Sequence, residues 1–412
     1  MFSLKYVYLL SLIVLLLSGC SSTERFTKKE KDIPGKTEGN FIRVLIDSKS
    51  NELEFTVESP VYLLNKEKTI ALINPGNKVK IVSNGGDTRL EIRDEIFEAD
   101  YFDLTPKSNS FIYGGKEFRG EIKIISSGDS IRLVNSIGLE EYLKGVIPKE
   151  MPLGKGEEYY EALKAFAICA RTYAIMKMTK NQSRFTGFDV YTDVRDQVYG
   201  GAGVENPLSN RAINETRNMI LTYNDLPAIV FYHSTCGGHT ENVFNVFSSA
   251  TINYLSGVED GEPPFCLSSS SFEWKEIYSK DNFLDKLIEK GLISNDLYSI
   301  EDIAVKSRFV SGRVNELQII LRNELGEEQA VSLFGNNIRS IIRTADNRSI
   351  LKSNWFDISF AENENIIIQG KGYGHGVGLC QWGALFQSTQ GISYKEILSH
   401  YFPGTTISNY ND

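Results

Sequence analysis

The sequence predicts a mixed α+β protein in which helices surround irregular β-sheets with a long groove, preceded by a small β-rich N-terminal domain. Residues 41 to about 125 alternate short apolar runs with turn signals, which is typical of strands. Residues 137–180 instead carry apolar side chains at helical spacing. We expect four segments: an export signal in residues 1–20, a tether in 21–40, the β-rich domain in 41–130 and a larger domain in 131–412.

The composition is that of a globular protein and excludes several classes. With 41% hydrophobic and 24% charged residues, the 412-residue chain is too apolar to be disordered and long enough for two or three domains. Its 44 basic and 53 acidic residues give a net charge of -9. We therefore expect no nucleic-acid partner, because displacing counterions from phosphates requires basic surface. Five cysteines are too few for a disulfide scaffold.

The first twenty residues predict export. The apolar run Leu9–Leu17 is too short and too close to the start for an ordinary membrane span. The Leu-Ser-Gly-Cys that ends at Cys20 resembles a bacterial lipobox, whose cysteine is lipidated; the alternative is a plain secretory signal with a chance cysteine. Residues 21–40 are polar and predict a tether of about 25 Å. We expect an exported, membrane-anchored lipoprotein that faces the cell wall.

Local patterns predict the individual elements of the mature chain. Apolar residues from Leu139 to Ile147 recur at helical spacing, and Pro148 and Pro152 should end this helix close to Glu150. Strands are predicted at Phe41–Ile46, Val61–Leu64, Lys78–Val82 and Ala228–Tyr232. Further helices are predicted over Glu157–Lys177, Phe283–Lys290 and Asn336–Arg343, with a last one that ends near Gln390.

Glu150 is the first candidate for chemistry. A carboxyl at a helix break between prolines can be held rigidly and partly desolvated, which raises its pKa toward the range of a general acid. The alternative from position alone is a solvated surface residue.

A second candidate is a group of metal-ligating residue types: His233, Cys236, His239 and Cys266. Two His and two Cys suit tetrahedral zinc, and the glycine pair after Cys236 allows a tight turn around an ion. Three alternatives stay open. They are a Cys236–Cys266 disulfide, a glycine turn with unconnected side chains, and a cysteine nucleophile assisted by His239.

A third candidate is the glycine-rich segment Gly370–Gly383, where every second residue up to Gly378 is glycine. It predicts a tight loop that brings a few side chains close to a ligand: Tyr373, His375, Gln381 and Trp382. No Gly-Lys-Ser/Thr follows, so we expect no nucleotide cofactor. Cys169 and Cys380 lie in apolar contexts and are interpreted as plain core residues.

Taken together, these motifs resemble the stage II sporulation protein D family, which includes relatives described as amidase enhancers. The resemblance extends over about residues 135–410, in order. It lies in Glu141–Met151, Ala162–Ala165 running into Ala170–Ala174, Gln197–Gly201, Tyr232–Glu241, Leu351–Phe356, Gly372–Ala384 and Tyr394–Tyr401.

The resemblance implies a peptidoglycan lytic transglycosylase in which Glu150 is catalytic and Arg171 is a cleft or supporting residue. It also implies that zinc binds around the Ser-Thr-Cys-Gly-Gly-His turn, which we carry onto the four residues named above. This chain has Asp196 where relatives often have a cysteine before Gln-Val-Tyr, which puts that zinc set in doubt. Candidate substrate residues are Arg171, Gln197, Tyr199, Tyr373, His375, Gln381 and Trp382; of these, Tyr199, Tyr373 and Trp382 could stack on sugars or belong to the core.

One carboxyl suffices for a lytic transglycosylase, because the C6 hydroxyl of the muramic acid attacks its own C1 and replaces water. One zinc ion with four protein ligands would be structural. The expected partners are peptidoglycan glycan strands, an N-acetylmuramoyl-L-alanine amidase and, through the lipid, a membrane. A rival hypothesis is a non-catalytic wall-binding lipoprotein that activates an amidase. A zinc peptidase is disfavoured because no His-Glu-x-x-His is present.

Overall fold

The computed structural model describes residues 40–108, 110–182, 187–247, 251–294 and 298–410. The predicted export signal, Cys20 and nearly all of the tether lie outside these residues. Among the described helices, none is long and apolar enough to cross a membrane.

The N-terminal part is built from strands, and both neighbouring and distant strands pair with one another. They are β1 (Phe41–Ser50), β2 (Glu52–Thr56), β3 (Val61–Asn65), β4 (Lys68–Ile73), β5 (Lys78–Asn84), β6 (Asp87–Ile92), β7 (Glu95–Ala99), β8 (Tyr101–Pro106), β9 (Ser110–Tyr113), β10 (Lys116–Arg119), β11 (Glu121–Ser127) and β12 (Ser130–Gly138). The alternation of side chains explains the burial, since Val79 and Ile81 of β5 are fully buried whereas Lys78 is exposed.

These strands form two main sheets and a hairpin. One sheet has the order β13 (Val190–Tyr191), β1, β12, β11, β8, β3, β4; the other has the order β2, β5, β6, β7; and β9 pairs with β10. β1 runs antiparallel to β12 and parallel to β13. The predicted domains on either side of residue 130 therefore share one sheet.

A group of helices follows: α1 (Leu139–Glu150), α2 (Tyr160–Gln182) and α3 (Pro207–Glu215). The side chains of α1 that recur at helical spacing, from Leu139 to Ile147, are the ones it buries. α2 is buried on nearly every side between Ala162 and Ile175, which makes it the central helix of the larger core. Asn206 caps the start of α3, where Pro207 occupies the first turn.

The remaining chain adds a second core and then returns to the first. Its elements are β14 (Met219–Tyr223), β15 (Leu226–Pro227), β16 (Tyr232–His233), α4 (Val243–Phe247), β17 (Glu273–Tyr278), α5 (Lys280–Glu289), β18 (Tyr298–Arg308), β19 (Val314–Asn323), β20 (Glu328–Phe334), α6 (Ile338–Ile342), β21 (Phe356–Phe360), β22 (Ile366–Lys371), β23 (Leu379–Cys380), α7 (Gln381–Thr389), α8 (Tyr394–Tyr401) and β24 (Thr406–Asn409). The sheets β17–β22–β21 and β18–β19–β20 enclose the second core together with α5 and α6. β23 pairs in parallel with β16, and β24 pairs with β14.

The predicted fold class is confirmed: the protein is mixed α+β with a β-rich N-terminal region. The predicted end of the first helix at Glu150 is also confirmed. The strand predicted over Ala228–Tyr232 is wrong, because β15 ends at Pro227 and β16 begins only at Tyr232. Between them, the N–H of Ile229 donates to the hydroxyl of Tyr254 at 2.8 Å and not to a neighbouring strand.

Candidate active site and cysteine cluster

Glu150 is the last residue of α1, and it is half-buried. The helix ends here because Met151 precedes Pro152 and is therefore extended. Glu150 Oε1 accepts a hydrogen bond of 2.7 Å from the backbone N–H of Val198. Burial raises the pKa of Glu150 above its ordinary value, and the hydrogen bond from the Val198 N–H opposes this shift. The carboxyl stays protonated to higher pH than a solvated one, which suits a general acid.

The Gln-Val-Tyr segment that contains Val198 is packed against α1. Gln197 and Tyr199 are both buried. The Tyr142 hydroxyl of α1 donates to Gln197 Oε1 at 3.2 Å. A Cβ at Gly145 would lie 2.5 Å from the Tyr199 ring, so glycine is required for this close packing. Gln197 and Tyr199 thus face the interior and hold the backbone that contacts Glu150.

Gln381 and Trp382 begin α7 beside the end of α1. Gln381 Nε2 donates to the backbone carbonyl of Glu150 at 3.0 Å. The N–H of Trp382 donates to the carbonyl of Ser234 at 3.1 Å, and its side chain is half-buried. Gln381 therefore bonds to the backbone of Glu150, whereas Val198 bonds to its carboxylate. The end of α1, the Ser-Thr-Cys turn and the glycine-rich segment therefore meet at one place.

The glycine-rich segment is folded onto the Ser-Thr-Cys turn. Thr235 and Tyr373 exchange backbone hydrogen bonds of 3.0 and 2.8 Å. Gly378 has a φ of +72°, and a Cβ there would lie 2.2 Å from the carbonyl oxygen of Phe231, so glycine is required. Tyr373 is 48% exposed, which leaves its ring accessible to a ligand.

Arg171 lies in the interior and forms a bidentate ion pair. Its Nε and Nη2 donate to the two carboxylate oxygens of Glu140 at 2.7 and 2.7 Å, and its Nη1 donates to the carbonyl of Met219 at 2.9 Å. The Arg171 side chain is 0% exposed. The resemblance implied either a cleft residue or a supporting residue; this buried ion pair favours support, and the role itself stays a prediction.

The histidines bond to the backbone. The buried His233 donates from Nδ1 to the carbonyl of Val377 at 3.1 Å, and burial lowers its pKa well below the ordinary value. His239 Nδ1 donates to the carbonyl of Thr240 at 2.5 Å. His375 Nδ1 accepts from the Val377 N–H at 3.0 Å, and burial lowers the pKa of His375 to about 3. Both His233 and His375 are therefore neutral.

Four other ligand atoms converge in the interior, from Cys236, Asp260, Cys266 and Cys380. All four residues are buried, and their ligand atoms lie within 4.8 Å of one another. Cys236 and Cys266 form no disulfide, and their sulfur atoms are 3.4 Å apart. Asp260 Oδ2 accepts from the Cys266 N–H at 3.0 Å, and its Oδ1 accepts from the Tyr401 hydroxyl at 2.6 Å. This cluster could hold a metal ion; it contains both predicted cysteines and neither predicted histidine.

Sequence reasoning missed Asp260 and Cys380. Cys380 was interpreted as a core residue, although its place directly before Gln381 in a family motif was an available signal. Asp260 has no such signal, because it reaches the cysteines only through the folding of its loop. Burial raises the pKa of Asp260 to about 8. Hydrogen bonds from Cys236 and, to a smaller extent, from Cys380 lower the pKa of the Cys266 thiol. Cys169, buried in α2, is not part of this cluster.

Asp196, where relatives often have a cysteine, belongs to a separate polar network. Its carboxylate accepts from the Tyr173 hydroxyl at 2.8 Å and from the Tyr191 N–H at 2.8 Å, and it pairs with Lys177 at 2.6 Å. These partners satisfy a carboxylate, and Asp196 is not part of the cysteine cluster.

Two cavities lie next to other parts of the molecule. One, of about 470 Å³, is lined by residues of β14, α8 and β24. The other, of about 390 Å³, is lined by His239, Glu259, Trp355 and Lys371 among others. Neither is lined by Glu150, so the long groove stays a prediction.

Two protein families match parts of the chain. The stage II sporulation protein (SpoIID) family matches residues 127–223, which contain Glu150, Arg171 and the Gln-Val-Tyr segment. A domain of unknown function (DUF8618) matches residues 266–378.

Several relatives are similar over most of this chain. An uncharacterized protein of Brachyspira hyodysenteriae is 32% identical over 304 residues, which are 74% of this chain and 75% of that protein. The amidase enhancer of Bacillus subtilis is 30% identical over 65% of this chain, but only 40% of its own length is covered. Stage II sporulation protein D of Bacillus subtilis is 28% identical over 67% of this chain and 76% of its own length. The chain belongs to the stage II sporulation protein D family.

Proposed function

We propose that this protein is a lytic transglycosylase that cleaves peptidoglycan between N-acetylmuramic acid and N-acetylglucosamine, with Glu150 as its single acid and base. The observation that carries the proposal is the environment of Glu150: half-buried at the end of α1, with a raised pKa and one backbone donor, the Val198 N–H. Membership of the family, with relatives named for sporulation and for enhancing an amidase, supports a role at the cell wall.

The cleavage needs two proton transfers. Protonated Glu150 first gives its proton to the glycosidic oxygen, which leaves with the electron pair of the C1–O bond. The C6 hydroxyl of the same muramic acid then attacks C1 and closes the 1,6-anhydro ring, and the Glu150 carboxylate accepts its proton. No water is consumed, and Glu150 ends protonated. The intramolecular attack has a high effective concentration, which removes the need for a second carboxylate to activate water.

The raised pKa of Glu150 suits the first of these steps. The Val198 N–H stabilises the carboxylate once the proton has left, so the residue can serve in both directions. Gln381 fixes the backbone carbonyl of the same residue. Tyr373, whose ring is exposed, is the candidate for stacking on a sugar.

The test is Glu150→Gln in the full chain, incubated with intact and with peptide-stripped glycan strands. Glu141→Gln is the matched control, because Glu141 lies on the same helix but 40% of its side chain is exposed. Mass analysis of the released fragments should show anhydro ends for the wild type and the control and none for Glu150→Gln. Full activity of Glu150→Gln refutes the assignment. Ends that are heavier by one water would make the protein a hydrolase.

We also infer that a zinc ion bound by four protein ligands would be structural and would take no part in cleavage. Four protein ligands leave no open position for a water molecule or a sugar oxygen. Chelation should therefore change the activity only through the stability of the fold.

A second candidate function is a non-catalytic wall-binding protein that activates an amidase, and the similarity to the amidase enhancer of Bacillus subtilis favours it. One experiment distinguishes the two functions: glycan is incubated with the full chain, with and without a purified N-acetylmuramoyl-L-alanine amidase. An activator raises the release of stem peptides, with or without Glu150. A transglycosylase produces anhydro ends without the amidase.

We further propose that the protein is an exported lipoprotein, anchored in a membrane through Cys20 and facing the cell wall. Metabolic labelling with a fatty acid should modify the wild type and not Cys20→Ser. Release of an unlabelled wild-type chain into the medium would contradict the anchor.

A further inference from the structure

The cysteine cluster joins three segments that are distant in sequence. Cys236 comes from the Ser-Thr-Cys turn, Asp260 and Cys266 come from the loop that follows, and Cys380 ends β23. We propose that these four residues bind one Zn²⁺ with four protein ligands. This ligand set differs from the two-cysteine, two-histidine set that the sequence indicated, and it does not depend on the proposed glycan cleavage.

The distances favour a metal over the competing disulfide. A disulfide requires about 2.05 Å between two sulfurs. Thiolates on one tetrahedral zinc lie about 3.8 Å apart, because each Zn–S bond is about 2.3 Å long. The Cys236 and Cys266 sulfurs are separated by 3.4 Å, much closer to the second value. A spread of at most 4.8 Å among all four ligand atoms suits a single ion.

A buried arginine lies next to the cluster, and no carboxylate of the described residues bonds to it directly. Arg313 is fully buried and donates to the carbonyls of Cys236 at 2.7 Å and His239 at 2.8 Å, while its Nε has no hydrogen-bond partner among the described residues. A buried charge is costly unless an opposite charge lies nearby. The buried Glu241 supplies part of this opposite charge, and zinc with three thiolates and one carboxylate, which has a net charge of −2, would add to it. The hydrogen bond to the Cys236 carbonyl also fixes the backbone of one ligand.

Outer contacts hold the proposed aspartate ligand in place. The Tyr401 hydroxyl donates to Asp260 Oδ1 at 2.6 Å, which is the kind of support that metal-binding carboxylates receive. A Cβ at Gly383 would lie 2.1 Å from the Tyr401 oxygen and 2.6 Å from Asp260 Oδ1. Gly383 is therefore required for α7 to approach this pair.

The site would fix the start of α7. Cys380 immediately precedes Gln381, whose side chain contacts the Glu150 carbonyl. An ion at Cys380 would thus anchor the segment next to Glu150 without touching a substrate.

The test begins with the wild-type full chain, purified without added metal or chelator. Elemental analysis, thiol titration and intact mass give the metal content and the oxidation state before any substitution is made. We expect about one zinc ion per chain. The intact mass should be that of a chain whose thiols are all reduced, because a disulfide would remove two hydrogen atoms. Iron in place of zinc, an absence of metal, or a Cys236–Cys266 disulfide would each overturn the proposal.

Substitutions then identify the ligands. Cys380→Ala should reduce the zinc content at least tenfold, whereas Cys169→Ala, which changes another buried cysteine, should keep it. Asp260→Asn retains an acceptor for Tyr401 but loses the charge, and it should also release zinc. Unchanged zinc in Cys380→Ala and Asp260→Asn would refute the ligand set. Glu150→Gln should retain full zinc, which separates this proposal from the proposed cleavage.

Discussion

Replacing Arg171 by methionine should destabilise the protein without acting on the substrate. The substitution removes both hydrogen bonds to Glu140, of 2.7 Å each, and one of 2.9 Å to the Met219 carbonyl. It leaves the Glu140 carboxylate, only 10% exposed, without its cation. Breaking a buried ion pair from one side costs about 3–5 kcal/mol. We expect a loss of this size in the free energy of unfolding.

The double substitution Arg171→Met with Glu140→Leu should recover most of that loss. Replacing both partners of a buried pair by apolar side chains is often nearly neutral, since no charge then remains buried. Urea unfolding of the full chain compares the single and the double variant with the wild type. Arg195→Met is the control, because its pair with Asp193 is exposed and its loss should leave the urea midpoint nearly unchanged.

The same variants distinguish support from substrate binding. If Arg171 only supports the fold, Arg171→Met should bind glycan normally at temperatures where it is folded. An unchanged urea midpoint together with lost glycan binding would refute the reasoning and assign Arg171 to the cleft.

Three further predictions follow from particular residues. The rate of glycan cleavage should fall as pH rises through the raised pKa of Glu150, since the reaction starts from its protonated form; a pH–rate profile whose basic limb lies below pH 4.5 would contradict this. Gly145→Ala should lower the free energy of unfolding by about 1–3 kcal/mol, because the new Cβ would lie 2.5 Å from the Tyr199 ring and 2.8 Å from the Gly201 carbonyl. An unchanged urea midpoint would show that the Gln-Val-Tyr segment can move aside at no cost. Tyr373→Ala should change stability by less than about 0.5 kcal/mol and weaken retention on glycan; equal retention in a pull-down would exclude stacking there.

Local pattern was sufficient for the first helices and insufficient for one strand. Apolar spacing and two prolines located the end of α1 at Glu150. The second helix was predicted to end at Lys177, but α2 continues to Gln182. The prediction stopped too early because the last turn is more exposed and no longer repeats apolar residues. The apolar run Ala228–Tyr232 is not a strand, since packing gives the Ile229 N–H a tyrosine hydroxyl as its partner.

The site was predictable where a motif carried it and unpredictable where tertiary contacts create it. Glu150 stands out in the sequence, but its contact with Val198 is 48 residues distant along the chain and has no periodic signal. The histidines offered metal-ligand chemistry, yet the Nδ1 atoms of His233 and His239 bond to carbonyl oxygens. Asp260 joins the cysteines through a loop whose path no local pattern indicates.

A single carboxyl that performs both proton transfers must be positioned for two atoms of the substrate at once. Misplacement by about 1 Å can cost a hundredfold in rate, so its supports matter as much as its pKa. Glu150 is held from three directions: by α1, by the Val198 N–H and by Gln381 at the start of α7. These supports come from residues that are 48 and 231 positions away along the chain. Such a design explains why the motifs of a one-carboxyl site are spread over most of the chain, and why a structural ion at Cys380 would matter for it.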